Sequence, residues 1–139
     1  MANEAVKVLE YSLPINFTCA DGVGIEQGAL LKLTDGMTAV KSDGDDDIIA
    51  GICHTEKIAN DGTTSVSVYI DGIFRMTSNG TIATGNMVKS NAGTTENTVI
   101  AIAAAAGATE NIGGKALQDA TDGDAFLFEL NPSQMSWPA

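Results

Sequence analysis

The sequence has 139 residues, 44% of them hydrophobic, and a formal net charge of −11 from 18 acidic and 7 basic side chains. That length and apolar fraction suit one ordinary domain with its own core and exclude a disordered tail. With no basic run anywhere, the chain lacks the positive footprint that binding to DNA, RNA or an anionic membrane requires.

The residue types point to β-structure. Glycine is frequent, at 15 residues, and aromatics make up only 5%. Alanine, valine, isoleucine and threonine recur between Asp-Gly pairs, which predicts short strands joined by tight turns. Met1 to Ala5 lacks the basic start and apolar core of a signal peptide. No apolar run reaches the length of a membrane span. Synthesis in a cytoplasm, with Cys19 and Cys53 reduced, is therefore the expectation.

In chain order, residues 1–20 come first and differ from the rest. Tyr11, Leu13, Ile15 and Phe17 alternate as in a strand, and Pro14 argues for an edge strand or an extended arm that reaches a neighbour. The body, residues 21–131, reads as strand, turn, strand. Ala29–Leu33 ends at Asp35-Gly36, and Met37–Val40 follows as a short strand. An acidic loop, Asp43 to Asp47, precedes the apolar run Ile48–Cys53, which is short enough for a buried strand. In Ser65–Ile70, Val66, Val68 and Ile70 share one face. Asp71-Gly72 then leads into Ile73–Met76.

The second half repeats this grammar. Gly85–Ser90 parallels Gly28–Leu33, Gly114–Leu117 parallels Gly51–His54, and Asp122–Leu130 parallels Asp61-Gly62 with the strand after it. A weak internal repeat, 28–72 against 85–130, is one reading; a generic β-meander is the other. Val99–Ile102 is strand-like and passes into the alanines 103–106, as a loop or one helical turn. The tail, residues 132–139, is framed by Pro132 and Pro138 and is expected to lack regular structure. It carries Trp137, which either packs on its own domain or anchors a subunit contact.

The search for chemistry yields little. Cys53 and His54 are adjacent on a strand and should face opposite ways, which argues against a nucleophile pair. The acidic loop from Asp43 to Asp47 has its glycine, Gly44, in the wrong place for a calcium loop, and His54 falls where the closing Glu belongs. A solvated charged turn is the better reading there. Gly22 to Gly28 lacks the Gly-Lys-Ser/Thr ending of a phosphate loop. The expectation is no catalytic residue, no cofactor and no metal site.

With those stretches in view, the sequence resembles the capsid decoration, or cement, proteins of tailed bacteriophages. The likeness rests on Gly28–Leu31, Ile49–Ile52, Val66–Gly72, Ile82–Val88, Gly114–Leu117 and the closing Asp-Gly strand. It implies an all-β fold, a small β-barrel or β-sandwich of short antiparallel strands with an extended N-terminal arm. It also implies a non-enzymatic virion protein on the outside of the capsid that stabilises the lattice of major capsid protein. A homo-oligomer, with a trimer favoured, goes with that task. A phage fibre, spike or carbohydrate-binding β-module is the alternative. There, Tyr11, Tyr69 and Trp137 would be the stacking residues.

Overall fold

The computed structural model describes residues 2–103 and 105–138, and no helix occurs among them. The strands are β1 (Val6–Leu9), β2 (Ile15–Thr18), β3 (Leu30–Asp35), β4 (Thr38–Lys41), β5 (Ile49–Cys53), β6 (Ser65–Tyr69), β7 (Gly72–Ser78), β8 (Met87–Ser90), β9 (Thr98–Ala101), β10 (Thr109–Ala116) and β11 (Ala125–Ser136). The all-β expectation holds.

The strands form two barrels of one topology. Barrel 1 closes in the order β2-β4-β3-β5-β6. In barrel 2, the run β7-β11-β10-β8-β9 is joined end to end by a β7–β9 pairing. Each barrel contains one parallel pair, β2–β4 at Thr18 and Thr38 and β7–β9 at Thr77 and Thr98, where only antiparallel pairing was expected.

Equivalence extends to single bonds. The Gly28 N–H donates to Cys53 O at 3.0 Å, and the Gly85 N–H to Ala116 O at 2.8 Å. Both glycines are left-handed, with φ +85° and +89°, a conformation that costs glycine least. The isolated bridge Ile25–Lys57 recurs as Ile82–Ala120.

The barrels differ in what they put outside. Alternation in a strand sends every second side chain inward. Barrel 1 fills its interior with Phe17, Ile25, Leu31, Val66 and Val68. Its outward residues Leu30, Ile52 and Tyr69 are also apolar, and they pack into one core with Phe74, Phe128 and Leu130 of barrel 2. This is why β5 is buried at every position, as its unbroken apolar run implied. The equivalents of Leu30, Ile52 and Tyr69 in barrel 2 are Met87, Lys115 and Glu129, matched through the pairings Met87–Lys115 and Lys115–Glu129. A charged pair there cannot repeat the apolar contact that Leu30, Ile52 and Tyr69 make.

Polar bonds lock the junction. Asn97 is fully buried, and its Oδ1 accepts from the Leu30 N–H at 3.0 Å while its Nδ2 donates to Ala2 O at 2.9 Å. The acidic loop crosses the same junction. Asp45 Oδ1 accepts from the Gly93 N–H at 3.1 Å, and Asp46 Oδ1 from the Asn111 N–H at 3.0 Å. The loop expected to be a solvated charged turn is thus a staple between barrels.

Other expectations are corrected as well. Ile70 lies beyond β6 and is exposed, because the chain turns into Gly72 before it can join Val66 and Val68. Met37 has φ 49° and sits in the turn ahead of β4. The C-terminal segment is not irregular. β11 runs to Ser136, and Ile112–Thr109 pair with Ser133–Ser136 after a register shift that accommodates the chain around Pro132. Residues 1–20 were read as an edge strand or an extended arm, and among residues 2–20 the structure has two strands. β1 is the edge strand of the larger sheet against β7, and β2 is a barrel strand against β6. Of the alanine segment, Ala104 lies outside the described residues.

Candidate interaction surface

Among the described residues, the N-terminal segment carries the densest series of exposed large apolar side chains. β1 is exposed at all of its residues, Val-Lys-Val-Leu. Val6, Val8, Leu9, Tyr11, Leu13 and Ile15 are all exposed, Leu13 at 77%. The run follows from topology: β1 leaves barrel 2 at Leu9, and residues 10–14 cross to barrel 1 before β2 begins. Exposed apolar side chains this closely spaced mark a contact surface, and the other large exposed ones, such as Val23, Ile48, Ile58 and Met87, are spread more widely along the chain.

Acidic groups border the run. Tyr11 donates to Glu129 Oε2 at 2.7 Å, which holds the phenol above its ordinary pKa, and Ser12 donates to Asp71 Oδ1 at 2.7 Å. The cations are largely spent within the fold. Lys7 pairs with Glu10 at 3.7 Å, Lys32 with Asp43, and Lys89 with Glu110 at 3.1 Å. Lys41 lies between Glu26 and Glu96. Burial pulls the Glu26 carboxyl up, but the Lys41 ammonium and backbone and Asn97 donors hold it below its ordinary value. Lys57 is buried against Asp61 at 3.1 Å. Among the described residues, only Arg75 and Lys115 form no salt bridge. Outward charge is therefore dominated by carboxylates.

The groups weighed for chemistry have structural surroundings. Cys53 points into barrel 1 and donates to Thr55 O at 3.2 Å, and burial pushes its thiol up to about 12. His54 faces away, edge-on to Tyr69 at 5.0 Å with Nδ1 3.2 Å from Ser67 Oγ. Cys19 and Cys53 are both free and buried. The loop carboxylates already accept from protein donors: Asp47 Oδ2 takes Ser42 Oγ at 2.8 Å and the Gly44 N–H at 2.9 Å. No group of three potential metal ligands occurs among the described residues. Trp137 packs back on its own chain: its backbone N–H donates to Ala108 O at 2.8 Å, and its indole Nε1 is buried without a hydrogen-bond partner among the described residues. Tyr69 is buried.

The sequence profile of the phage cement protein family matches residues 10–130. The chain belongs to the phage cement protein family. It is a structural protein of a phage virion, as the resemblance implied. A comparison with curated proteins finds no significant match. Among solved structures, the head fiber gp8.5 N base of bacteriophage phi29 is similar in fold, with a TM-score of 0.57 at 13% identity. The match covers 89% of this chain and 99% of that one. Sequence reasoning had the N-terminal run right as an apolar alternation. It read the repeated Gly-strand, Asp-Gly-strand order as a weak internal repeat or a generic meander, and it did not show which strands pair to close each half.

Proposed function

We propose that this cement-family chain binds the outside of an assembled capsid and stabilises the lattice of major capsid protein, without catalysis. The observation that carries the reading is the exposed apolar run from Val6 to Ile15, on a chain of net charge −11. Apolar area removed from water supplies roughly 25 cal/mol per Å², so a run of six such side chains is a credible anchor for each copy. A protein that binds only the assembled lattice stabilises it by mass action. Many copies bridging neighbouring subunits add an effective-concentration gain. A closed homo-oligomer, a trimer foremost, matches a local symmetry axis. The carbohydrate-binding alternative finds little support, since Tyr69 is buried, Tyr11 is tied to Glu129 and Trp137 is packed on its own chain.

The test mixes purified chain with capsid shells of its phage that lack it, before and after expansion, and reads occupancy by sedimentation. Occupancy on expanded shells, a higher shell melting temperature and a roughly tenfold weaker Val8→Ser/Leu13→Ser variant are expected. No occupancy on either shell overturns the reading. Deleting residues 1–20 would be uninformative, because it removes β1 and β2 and opens both sheets.

A further inference from the structure

The two barrels share a topology, but one strand position is filled in only one of them. β11 covers one edge of β7 from Gly72 to Thr77. The other edge is covered by β9 at Thr77 and Ser78 and by β1 at Ile73, Phe74 and Arg75. Barrel 1 has the same frame. β6 covers one edge of β2 from Ile15 to Thr18, and β4 covers the other edge at Thr18 alone. Matching Thr18 to Thr77 places Pro14, Ile15 and Asn16 where Ile73, Phe74 and Arg75 stand. Among the described residues, no strand pairs with that edge of Pro14–Asn16.

The open edge is a usable ladder. The Thr18 N–H points to the β4 side, donating to Met37 O at 2.6 Å, and the Cys19 N–H points to the β6 side, donating to Thr64 O at 2.9 Å. Backbone groups alternate sides along a strand. The N–H and C=O of Asn16 and the C=O of Pro14 therefore face the vacancy. Side-chain exposure agrees with a missing cover. Ile15 is 38% exposed, whereas its counterpart Phe74 is 1% exposed.

We infer that the edge of β2 at Pro14–Asn16 receives an antiparallel strand of the coat subunit, one whose alternating apolar residues are flanked by lysine or arginine. This rests on the capsid-binding reading above and names the place of contact. Strand addition suits an open edge, with main-chain bonds giving affinity and alternate side chains giving specificity. The apolar requirement comes from Leu13 and Ile15. The basic requirement comes from Asp71, which accepts from Ser12 Oγ at 2.7 Å just ahead of Pro14, and from the net charge of −11. A second copy is the poorer occupant. It could offer few cations to this acidic surface, since among the described residues only Arg75 and Lys115 form no salt bridge.

The experiment compares backbone hydrogen exchange of the full chain free and bound to expanded shells of its phage lacking it. The Asn16 amide should exchange at least tenfold more slowly on shells. Asn16→Pro removes a donor that barrel 1 does not use and should lower occupancy about tenfold. Leu13→Asp, at a position 77% exposed, should do the same if the proline variant fails to fold. Binding with the Asn16 amide unprotected, or undiminished by Asn16→Pro or Leu13→Asp, overturns this inference and leaves the functional reading standing. Protection of Asn16 that rises with concentration in the free chain overturns it in favour of a second copy. No binding to shells at all overturns both.

Discussion

Gly51 and Gly114 hold one place in two barrels: a Cβ on the first would stand 2.0 Å from Tyr69 O, and on the second 1.9 Å from Glu129 O. Neither distance is tolerable, because the atom met is backbone of the neighbouring strand. Alanine at either site must push a barrel strand aside, at a cost of about 3 kcal/mol. The barrels share one core, so Gly51→Ala should shift the whole transition. Urea unfolding followed by far-ultraviolet circular dichroism and by Trp137 fluorescence checks this. A Trp137 midpoint unmoved by Gly51→Ala would show that the barrels unfold independently.

Asn97 carries the junction, since it serves the Leu30 N–H of barrel 1 from a left-handed position in barrel 2, at φ 56°. Asn97→Ala leaves that buried donor unpaired, at about 1–3 kcal/mol, and adds the strain of a Cβ at positive φ. Asn97→Gly loses the same bond without the strain. The glycine variant should therefore be the more stable by about 1 kcal/mol in denaturant melts, although both fall below the parent.

The thiols report on barrel 1. Cys19 and Cys53 are buried, and the Cys53 thiol is pushed up to about 12. Thiolate is the reactive form. At pH 8 neither should react with a disulfide reagent in the folded chain, and both should react once it is unfolded in urea. Rapid labelling under native conditions would contradict the core placement.

Much of this was legible in the sequence and some was not. Val66 and Val68 alternate, Ile49 to Cys53 is apolar throughout, and Phe126, Phe128 and Leu130 keep one face; each is buried as that pattern implies. Periodicity reports which side of a strand is buried but not which strand lies beside it. The β2–β4 and β7–β9 pairings were invisible for that reason. The acidic loop was misread because a carboxylate's partner depends on distant chain, here Gly93 and Asn111. Pro132 was taken as a strand breaker, but it falls where the β10–β11 register shifts, a place that tolerates a missing donor. The exposed run was visible as apolar residues, and only the fold shows that its second half lies along an unfilled edge.

Acid should loosen the fold from about pH 4 downward. The Asp61 carboxyl is held down to about 2, chiefly by the Thr63 hydroxyl and N–H and then by Lys57; Asp119 and Asp124 are lowered by Thr84 and Thr121 in the same way. These carboxylates have folded values below their unfolded ones. Their contribution is fully present above the ordinary carboxylate range and is lost as pH falls through the folded values. Melting temperature should be flat from pH 7 to about 5 and drop between about 4 and 2. A drop centred near pH 6 would show that these carboxylates do not set the acid limit.

Lys57 and Ala120 occupy one bridge position in the two barrels, so the lysine has a natural control in its own chain. Its ammonium is buried and donates to Asp21 O at 3.0 Å, Ile58 O at 2.9 Å and Asp61 Oδ1 at 3.1 Å. Lys57→Met keeps most of the volume and removes all three bonds. Two carbonyls and a carboxylate then lose their partner, which should cost about 2–4 kcal/mol. Lys57→Ala should cost more, by the cavity term. In Lys57→Met, a nuclear magnetic resonance titration should show the Asp61 carboxyl rising but staying below its ordinary value, because the Thr63 donors are the larger cause and remain. If Asp61 reaches its ordinary value, Lys57 rather than Thr63 sets that site. If stability is unchanged, the ammonium is a passenger, and alanine would serve barrel 1 as it serves barrel 2.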